Sequence, residues 1–195
     1  MSLLLIEKLN ASFPTKQVLF DIDLKLEQGR KLAVVGESGS GKTVLGQGIM
    51  RLNPAVSLTG SLKFNGIDLL QQSPSQLQKL RGCEIGMVFQ EPMMALNPVM
   101  PVGKQIAEVL TLHMGFTAKQ AWARAIELLA QTGIQDPAQK AADYPFRLSG
   151  GQRQRVMIAM AVAAEPKLLI ADEPTTALDV AVQEQILDLL SELQQ

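Results

Sequence analysis

Residues 36–43, GESGSGKT, have the types and the spacing of a phosphate-binding loop. The stretch fits G-x-x-x-x-G-K-[ST], in which glycines allow a tight turn and successive N–H groups face phosphate oxygens. Lys42 would add a point charge at the β and γ phosphates, and the Thr43 hydroxyl would ligate Mg²⁺. The loop therefore predicts a nucleotide triphosphate as ligand; kinases, GTPases and motor ATPases share this motif. The predicted contacts come from Gly36, Glu37, Ser38, Gly39, Ser40, Gly41, Lys42 and Thr43.

Two carboxylates follow an apolar run in LLIADEP at 168–174. Asp172 stands at the end of a predicted strand, where it can hold Mg²⁺ directly or through water. Glu173, the next residue, is placed to orient and deprotonate an attacking water. Gln90 follows a second apolar run and can touch the metal or that water, although a solvated glutamine is the alternative at this position.

The segment before and after the loop is predicted to form antiparallel strands. LLLIEKL at 3–9 is the first. In VLFDIDLKL at 18–26 apolar residues alternate, which predicts a half-buried strand. Asn65-Gly66, between SLKF and IDLL, is a strong hairpin signal. The residues expected on the half-buried face of the second strand are Val18, Phe20, Ile22, Leu24 and Leu26.

Three short apolar runs are typical of buried strands: KLAVV at 31–35, IGMVF at 85–89 and KLLIA at 167–171. A region of about 100–132 is predicted to be helical, because Thr117 and Gln120 form a capping box and Gly133 is placed to end the helix. A last helix from about 180 would bury Ile186, Leu187, Leu190 and Leu193.

These elements predict an α/β fold, a P-loop NTPase (RecA-like) core with an antiparallel β subdomain and a helical insert. The core takes residues 1–90 and 148–195, and the insert takes 91–147. The 195 residues are 47% hydrophobic, and 18 basic against 19 acidic residues give a net charge of −1. This balance gives no general reason to expect nucleic acid or an anionic membrane surface as a partner. The apolar runs are too short to cross a bilayer, so any membrane association is expected to come through a partner.

The motifs, in this order, resemble those of ATP-binding-cassette ATPases across essentially all 195 residues. GESGSGKT is similar to Walker A, Gln90 to the Q-loop, LSGGQ at 148–152 to the signature, LLIAD with Glu173 to Walker B, and TALD, ending at Asp179, to the D-loop. The resemblance implies ATP and Mg²⁺ as cofactors. It also makes Phe13 the candidate aromatic that stacks on adenine, with a core phenylalanine as the alternative.

In this family the signature faces the ATP bound by the other subunit of a head-to-tail dimer. The residue types fit, because Ser149 is a favoured N-cap residue and two glycines expose N–H groups at the start of a helix. The resemblance therefore implies a second cassette subunit, identical or not. Arg153 and Arg155 add positive charge nearby, or are solvated. The implied contacts in trans are Ser149, Gly150, Gly151, Gln152 and Asp179.

FQEPMMALNP at 89–98 and the stretch 144–180 look like the peptide/nickel importer ATPases (oligopeptide, dipeptide or nickel type). This implies two membrane permease subunits, a periplasmic or lipid-anchored binding protein, and a peripheral place at the cytoplasmic face of the bacterial inner membrane. Met93 and Met94 would lie at the permease contact, or form a buried hinge. Peptide is the expected cargo. Nickel or another metal chelate, and a non-transport cassette ATPase, are the alternatives.

Two departures from the family are visible. Phe146 and Arg147 stand where relatives often have His then Glu. The sequence ends at Gln195, whereas the family continues with another strand and a switch histidine, and His113 lies in the predicted insert. We therefore expect a C-terminally truncated domain that binds ATP–Mg²⁺ but hydrolyses it poorly alone.

Overall fold

The structure, a computed structural model, describes residues 2–175 and 180–192. The chain divides between Arg81 and Gly82 into an N-terminal and a C-terminal unit. The N-terminal unit contains β1 (Ser2–Phe13), β2 (Lys16–Glu27), α1 (Lys42–Ile49), β3 (Ser57–Phe64), β4 (Ile67–Asp68) and α2 (Pro74–Leu80). The C-terminal unit contains β5 (Ile85–Val88), α3 (Pro92–Ala95), α4 (Val102–Met114), α5 (Ala118–Gln131), α6 (Pro137–Lys140), α7 (Gly150–Val162), β6 (Leu168–Ala171) and α8 (Val180–Glu192).

The N-terminal unit is built on an antiparallel sheet with strand order β2-β1-β3-β4, which confirms the predicted β subdomain. The predicted hairpin is also confirmed. Phe64 pairs with Ile67, and Asn65 and Gly66 between them have φ of 47° and 80°. Those left-handed values are what a two-residue hairpin turn requires.

The predicted buried face of β2 is wrong over its first half. Leu19 is buried at 4%, whereas Phe20 is 63% exposed. The cause is a β-bulge: Asp21 has φ of 45°, and the pairing shifts between Ala11↔Leu19 and Leu9↔Ile22. A bulge inserts one extra residue into the ladder. The alternation of buried and exposed side chains along β2 is therefore shifted by one residue after the bulge.

Close to the bulge, a pair of charged residues joins β1 and β2. Lys8, with φ of 50°, donates its backbone N–H to Asp23 Oδ1 at 2.8 Å. Its Nζ lies 3.1 Å from Asp23 Oδ2. The side-chain hydrogen bond with Asp23 raises the pKa of Lys8, and the backbone hydrogen bond from Lys8 lowers the pKa of Asp23.

The predicted strand at 31–35 is absent, which corrects the interpretation of KLAVV as a buried strand. Residues 31–37 have no regular structure, and Leu32, Val34 and Val35 are 50%, 50% and 91% exposed. A strand is stabilised by hydrogen bonds to a neighbouring strand. Within the described ranges 2–175 and 180–192, no strand pairs with this segment.

The C-terminal unit contains the other two predicted strands. β5 and β6 are parallel, in register from Ile85↔Leu168 to Val88↔Ala171. Helices α7 and α8 pack against them in one apolar cluster, formed by Val88, Met157, Ile158, Ala161, Ile186 and Leu189. The predicted face of α8 needs correction, because Leu189 is buried whereas Leu187 is 53% exposed. Leu193 lies outside the described residues.

A second cluster of the C-terminal unit joins α4, α5 and α7 around Ile106, Leu129 and Val156. The capping box of α5 is confirmed: Thr117 N–H donates to Gln120 Oε1 at 3.0 Å, and Thr117 Oγ1 accepts from Gln120 N. Gly133 follows the helix with φ of 75°, as a terminating glycine should. The boundaries 91 and 147 of the helical insert stay a prediction. No helix in the described part of the chain is both long and apolar enough to cross a membrane.

Candidate active site

The phosphate loop lies in the N-terminal unit and leads directly into α1, whose first residue is Lys42. Gly39 and Gly41 have φ of 81° and 96°. The positive φ of Gly41 favours glycine there, and a Cβ would lie 2.8 Å from Leu19 Cδ2, which would have to shift. Lys42 Nζ donates to the carbonyls of Gly36 at 2.9 Å and Glu37 at 3.0 Å. These bonds hold the ammonium across the loop.

Phe13, the candidate adenine-stacking residue, ends β1 and is half-buried. With Val44 and Gln47 of α1 it lines a cavity of about 590 Å³ in the N-terminal unit. That volume is within the range of small-molecule sites. The structure therefore places Phe13 beside the helix that begins with Lys42.

Two arginines that the sequence did not single out also line this cavity. Arg81 donates to the carbonyls of Met50 and Arg51 at 2.9 and 2.6 Å, and Arg51 donates to that of Gln72 at 2.7 Å. Burial, and then the charge of Arg51, lower the pKa of Arg81. Because these donors are directed at backbone carbonyls, the arginines brace the wall of the cavity.

The two carboxylates and Gln90 come together in the C-terminal unit. Asp172 and Glu173 follow β6 directly, and Gln90 lies two residues beyond β5. Gln90 Nε2 donates to Glu173 Oε2 at 3.1 Å. Asp172 is buried at 8%, and its N–H donates to Val88 O at 2.9 Å. The carboxyl ends of two paired parallel strands thus bring all three predicted side chains to one edge.

Glu173 has a backbone conformation that is unusual for its type. Its φ is 45°, in the left-handed region, and Pro174 follows it. Such conformations persist only where the surroundings fix them, and they cluster at functional sites. Gln154 Nε2 donates to Pro174 O at 2.7 Å, and Gln183 Nε2 donates to Thr175 O at 3.1 Å. Three glutamine amides therefore hold residues 173–175.

The donor types suit Mg²⁺. Thr43, Gln90 and Asp172 offer a hydroxyl, an amide and a carboxylate oxygen, which are hard ligands. The described residues contain no group of three or more His, Cys, Asp or Glu side chains that could cage a metal. One carboxylate with few other protein ligands fits a cation that keeps waters and binds substrate phosphates.

Ser149 is the N-cap of α7, as its type predicted. Gln152 N–H donates to Ser149 Oγ at 3.2 Å, and Ser149 N–H donates to Gln152 Oε1 at 3.0 Å. Gly150 is exposed, and a Cβ there would meet nothing within 4 Å. Because the chain itself does not require a glycine at 150, this helix start can be approached closely from outside. Asp179, the remaining candidate contact in trans, lies outside the described residues.

The two arginines after the signature are not simply solvated. Arg153 donates to Leu148 O at 2.7 Å. Arg155 donates to Thr132 O at 2.7 Å and to Gln185 Oε1 at 2.7 Å, and so ties α7 to the end of α5 and to α8. A Cβ on Gly133 would lie 2.7 Å from Arg155 Nη1. Both arginines therefore support the fold around the signature helix.

Residues 19–176 match the family described as ABC transporter. The chain is 50% identical to the oligopeptide transport ATP-binding protein OppD of Bacillus subtilis, over 98% of this chain and 56% of the relative. It is 49% identical to the dipeptide transport ATP-binding protein DppD of Escherichia coli, over 100% of this chain and 62% of the relative. It thus spans little more than half the length of these curated relatives.

Solved structures of similar fold include the dimeric post-hydrolysis state of the ATP-binding cassette MJ0796 bound to ADP and Pi. It has a TM-score of 0.88 and 28% identity, over 98% of this chain and 83% of that one. CbiO1 of Clostridium perfringens, part of the transporter complex cbiONQ, has a TM-score of 0.82 and 30% identity, over 99% and 74%. These likenesses bear out the predicted P-loop NTPase fold.

Proposed function

Because the chain belongs to the ABC transporter family, we propose that it binds ATP with Mg²⁺ and hydrolyses it to ADP and phosphate to power transport. The observation that carries the proposal is the 3.1 Å hydrogen bond between Gln90 and Glu173. It joins a glutamine to a glutamate at the carboxyl ends of two parallel strands, next to a buried aspartate. Ligands of open α/β sheets bind at such strand ends.

Glu173 is the general base in this proposal. Gln90 donates to Oε2 and orients the carboxylate, which accepts a proton from the attacking water. The water oxygen attacks the γ phosphorus, the bond to the β–γ bridging oxygen breaks, and ADP leaves. Lys42 and the loop N–H groups stabilise the phosphate charge. Thr43, Gln90 and Asp172 would hold Mg²⁺, which when bound neutralises charge on the β and γ phosphates.

The test compares Glu173→Gln with Glu108→Gln, which changes an exposed glutamate of α4. Nucleotide affinity and phosphate release are measured on both. Glu173→Gln is expected to bind ATP within a few-fold of the wild type and to release phosphate at least about 100-fold more slowly, since general bases contribute about that much. Glu108→Gln is expected to match the wild type. Wild-type release from Glu173→Gln would refute the assignment.

We also propose that the site is completed by a second cassette subunit, whose signature meets the ATP bound at Lys42. The capped start of α7 and the exposed Gly150 support this role, and MJ0796, with a similar fold, is dimeric. Ser149→Arg and Lys42→Ala chains are mixed and assayed for hydrolysis. The mixture is expected to exceed either variant alone, because one pairing keeps an intact Lys42 site and an intact signature. Equal activities would exclude the contribution in trans.

The transport partners are proposed to be two membrane permease subunits and a substrate-binding protein, with the chain at the cytoplasmic face of the membrane. The relatives named for oligopeptide and dipeptide transport favour peptide over nickel as cargo. Met94, 80% exposed in α3, is the proposed permease contact. Met94→Asp is expected to reduce co-purification of two hydrophobic subunits, and Leu112→Asp, at a 72% exposed residue of α4, is the control. Equal recovery with both variants would refute the contact.

A further inference from the structure

Gln154 is a buried polar residue of α7, and it hydrogen-bonds to the residue that follows the candidate base Glu173. Gln154 is 1% exposed and lies three and four residues before Met157 and Ile158, which belong to an apolar cluster. Its Nε2 donates to the carbonyl of Pro174 at 2.7 Å, one residue beyond Glu173. Burial of a side-chain amide costs free energy unless the amide makes its hydrogen bond. The bond from Gln154 to Pro174 O is therefore favoured, and it fixes the position of that carbonyl.

Without the bond from Gln154, the backbone at Glu173 would be expected to relax from its left-handed conformation. Glu173 has φ of 45°, and a residue before proline prefers an extended conformation. An extended Glu173 would aim its carboxylate elsewhere, away from Gln90. The neighbouring bond from Gln183 to Thr175 O fixes the next carbonyl, and the two bonds together keep the left-handed turn in place.

We propose that Gln154 is a positioning residue for Glu173: it holds the Glu173–Pro174 turn so that the carboxylate faces Gln90 and the attacking water. The inference rests on the proposed hydrolysis. Gln154 lies five residues after Ser149 on the same helix, so α7 carries both the capped start proposed to meet a partner's ATP and the amide that sets the base.

The experiment uses the full chain with Gln154→Met, which keeps the length of the side chain but cannot donate. Gln154→Asn, whose amide is one methylene short of Pro174, is the second variant in case the first fails to fold. The matched control is Gln105→Met. Gln105 is also a buried glutamine on a helix, at 5% exposure. It donates to the carbonyls of Asn97 and Met100 at 2.9 and 2.8 Å, and neither of these residues belongs to the candidate active site.

Four quantities are measured: kcat for ATP, KM for ATP, ATP affinity, and deuterium uptake of residues 168–175 without nucleotide. Both Gln154 variants are expected to lower kcat about 10-fold or more, because small misplacement of a catalytic group costs up to about 100-fold. KM and affinity should stay within about two-fold, since the phosphate-binding loop is untouched. Uptake at 172–175 should rise. Gln105→Met should leave kcat and this uptake unchanged.

A double variant separates the positioning role from a general structural one. If Gln154 acts through Glu173, Gln154→Met should not lower further the residual hydrolysis of Glu173→Gln. An additional loss in the double variant, or wild-type kcat and wild-type uptake in both Gln154 variants, would overturn the inference while the ATPase proposal stands. Wild-type hydrolysis by Glu173→Gln would instead refute the proposed function, and the uptake measurement would still test the bond to Pro174.

Discussion

Replacing Gly60 by alanine tests the close approach of β3 to the backbone of Lys8 in β1. Gly60 has φ of 107°. A Cβ built there would overlap the carbonyl oxygen of Lys8, and it would lie 2.7 Å from the Lys8 carbonyl carbon and 2.9 Å from Glu7 O. These are backbone atoms, so no side chain can turn aside. Either β1 or β3 must shift, at the point where Lys8 is also bonded to Asp23.

The magnitude follows from three contributions. A left-handed φ costs an alanine about 1–2 kcal/mol, and inserting a methyl group into occupied space costs about 1–3 kcal/mol. Loss of glycine freedom in the unfolded chain returns about 0.4–1 kcal/mol. The sum is a destabilisation of the N-terminal unit of about 3 kcal/mol.

Gly66→Ala is the matched control, because Gly66 also has a positive φ, 80°, but a Cβ there meets nothing within 4 Å. Gly66→Ala has the conformational cost of a positive φ but no overlap with other atoms. We therefore expect its free energy of unfolding to fall by no more than about 1 kcal/mol. Urea unfolding is followed by far-UV circular dichroism and by amide exchange in β1 and β3. Intrinsic fluorescence would miss the effect, because the single tryptophan, Trp122, and single tyrosine, Tyr144, belong to the C-terminal unit. Equal losses for the two variants would refute the argument from close approach.

Two further predictions concern other bonds. Gln105→Met removes the hydrogen bonds of Gln105 with Asn97 N, Asn97 O and Met100 O, so we expect a loss of about 2 kcal/mol in urea unfolding followed by Trp122 fluorescence; a loss below about 0.5 kcal/mol would contradict it. Asp23, whose pKa lies below its ordinary 3.8, stabilises the fold above that pH and loses this effect on acidification. The stability advantage of the wild type over Asp23→Asn should therefore shrink from neutral pH to about pH 3; a constant difference in circular-dichroism midpoints would contradict it.

Local pattern predicted the strands that have a partner and failed for the one that does not. KLAVV, IGMVF and KLLIA are apolar runs of equal length, and nothing in their residues distinguishes them. The second and third pair with each other, whereas 31–35 pairs with no described strand. Strand formation depends on a neighbour far away in sequence, which a single run cannot reveal. The bulge at Asp21 was invisible for a similar reason, because it depends on the pairing of β2 with β1.

The candidate site was predictable where topology alone sets it. Gln90, Asp172 and Glu173 each follow an apolar run in the sequence, and the parallel pairing of β5 with β6 brings the three side chains to one edge. Gln154 was missed, because a glutamine in QRQRVMIAM reads as an ordinary polar residue of a helix. The available signal was its position, since Met157 and Ile158, three and four residues later and therefore on the same helix face, are apolar. The left-handed turn at Glu173 had no signal, because glutamate does not favour that conformation.

Arg155 and Gly133 constrain each other in a way that bears on sequence variation among relatives. The guanidinium of Arg155 reaches Thr132 O and Gln185 by passing where any side chain at 133 would begin. A larger residue at 133 would displace the guanidinium from these bonds, and the positive φ of 75° at Gly133 disfavours such a residue as well. The two positions should therefore change together over evolutionary time, although they lie 22 residues apart in the sequence (155 minus 133).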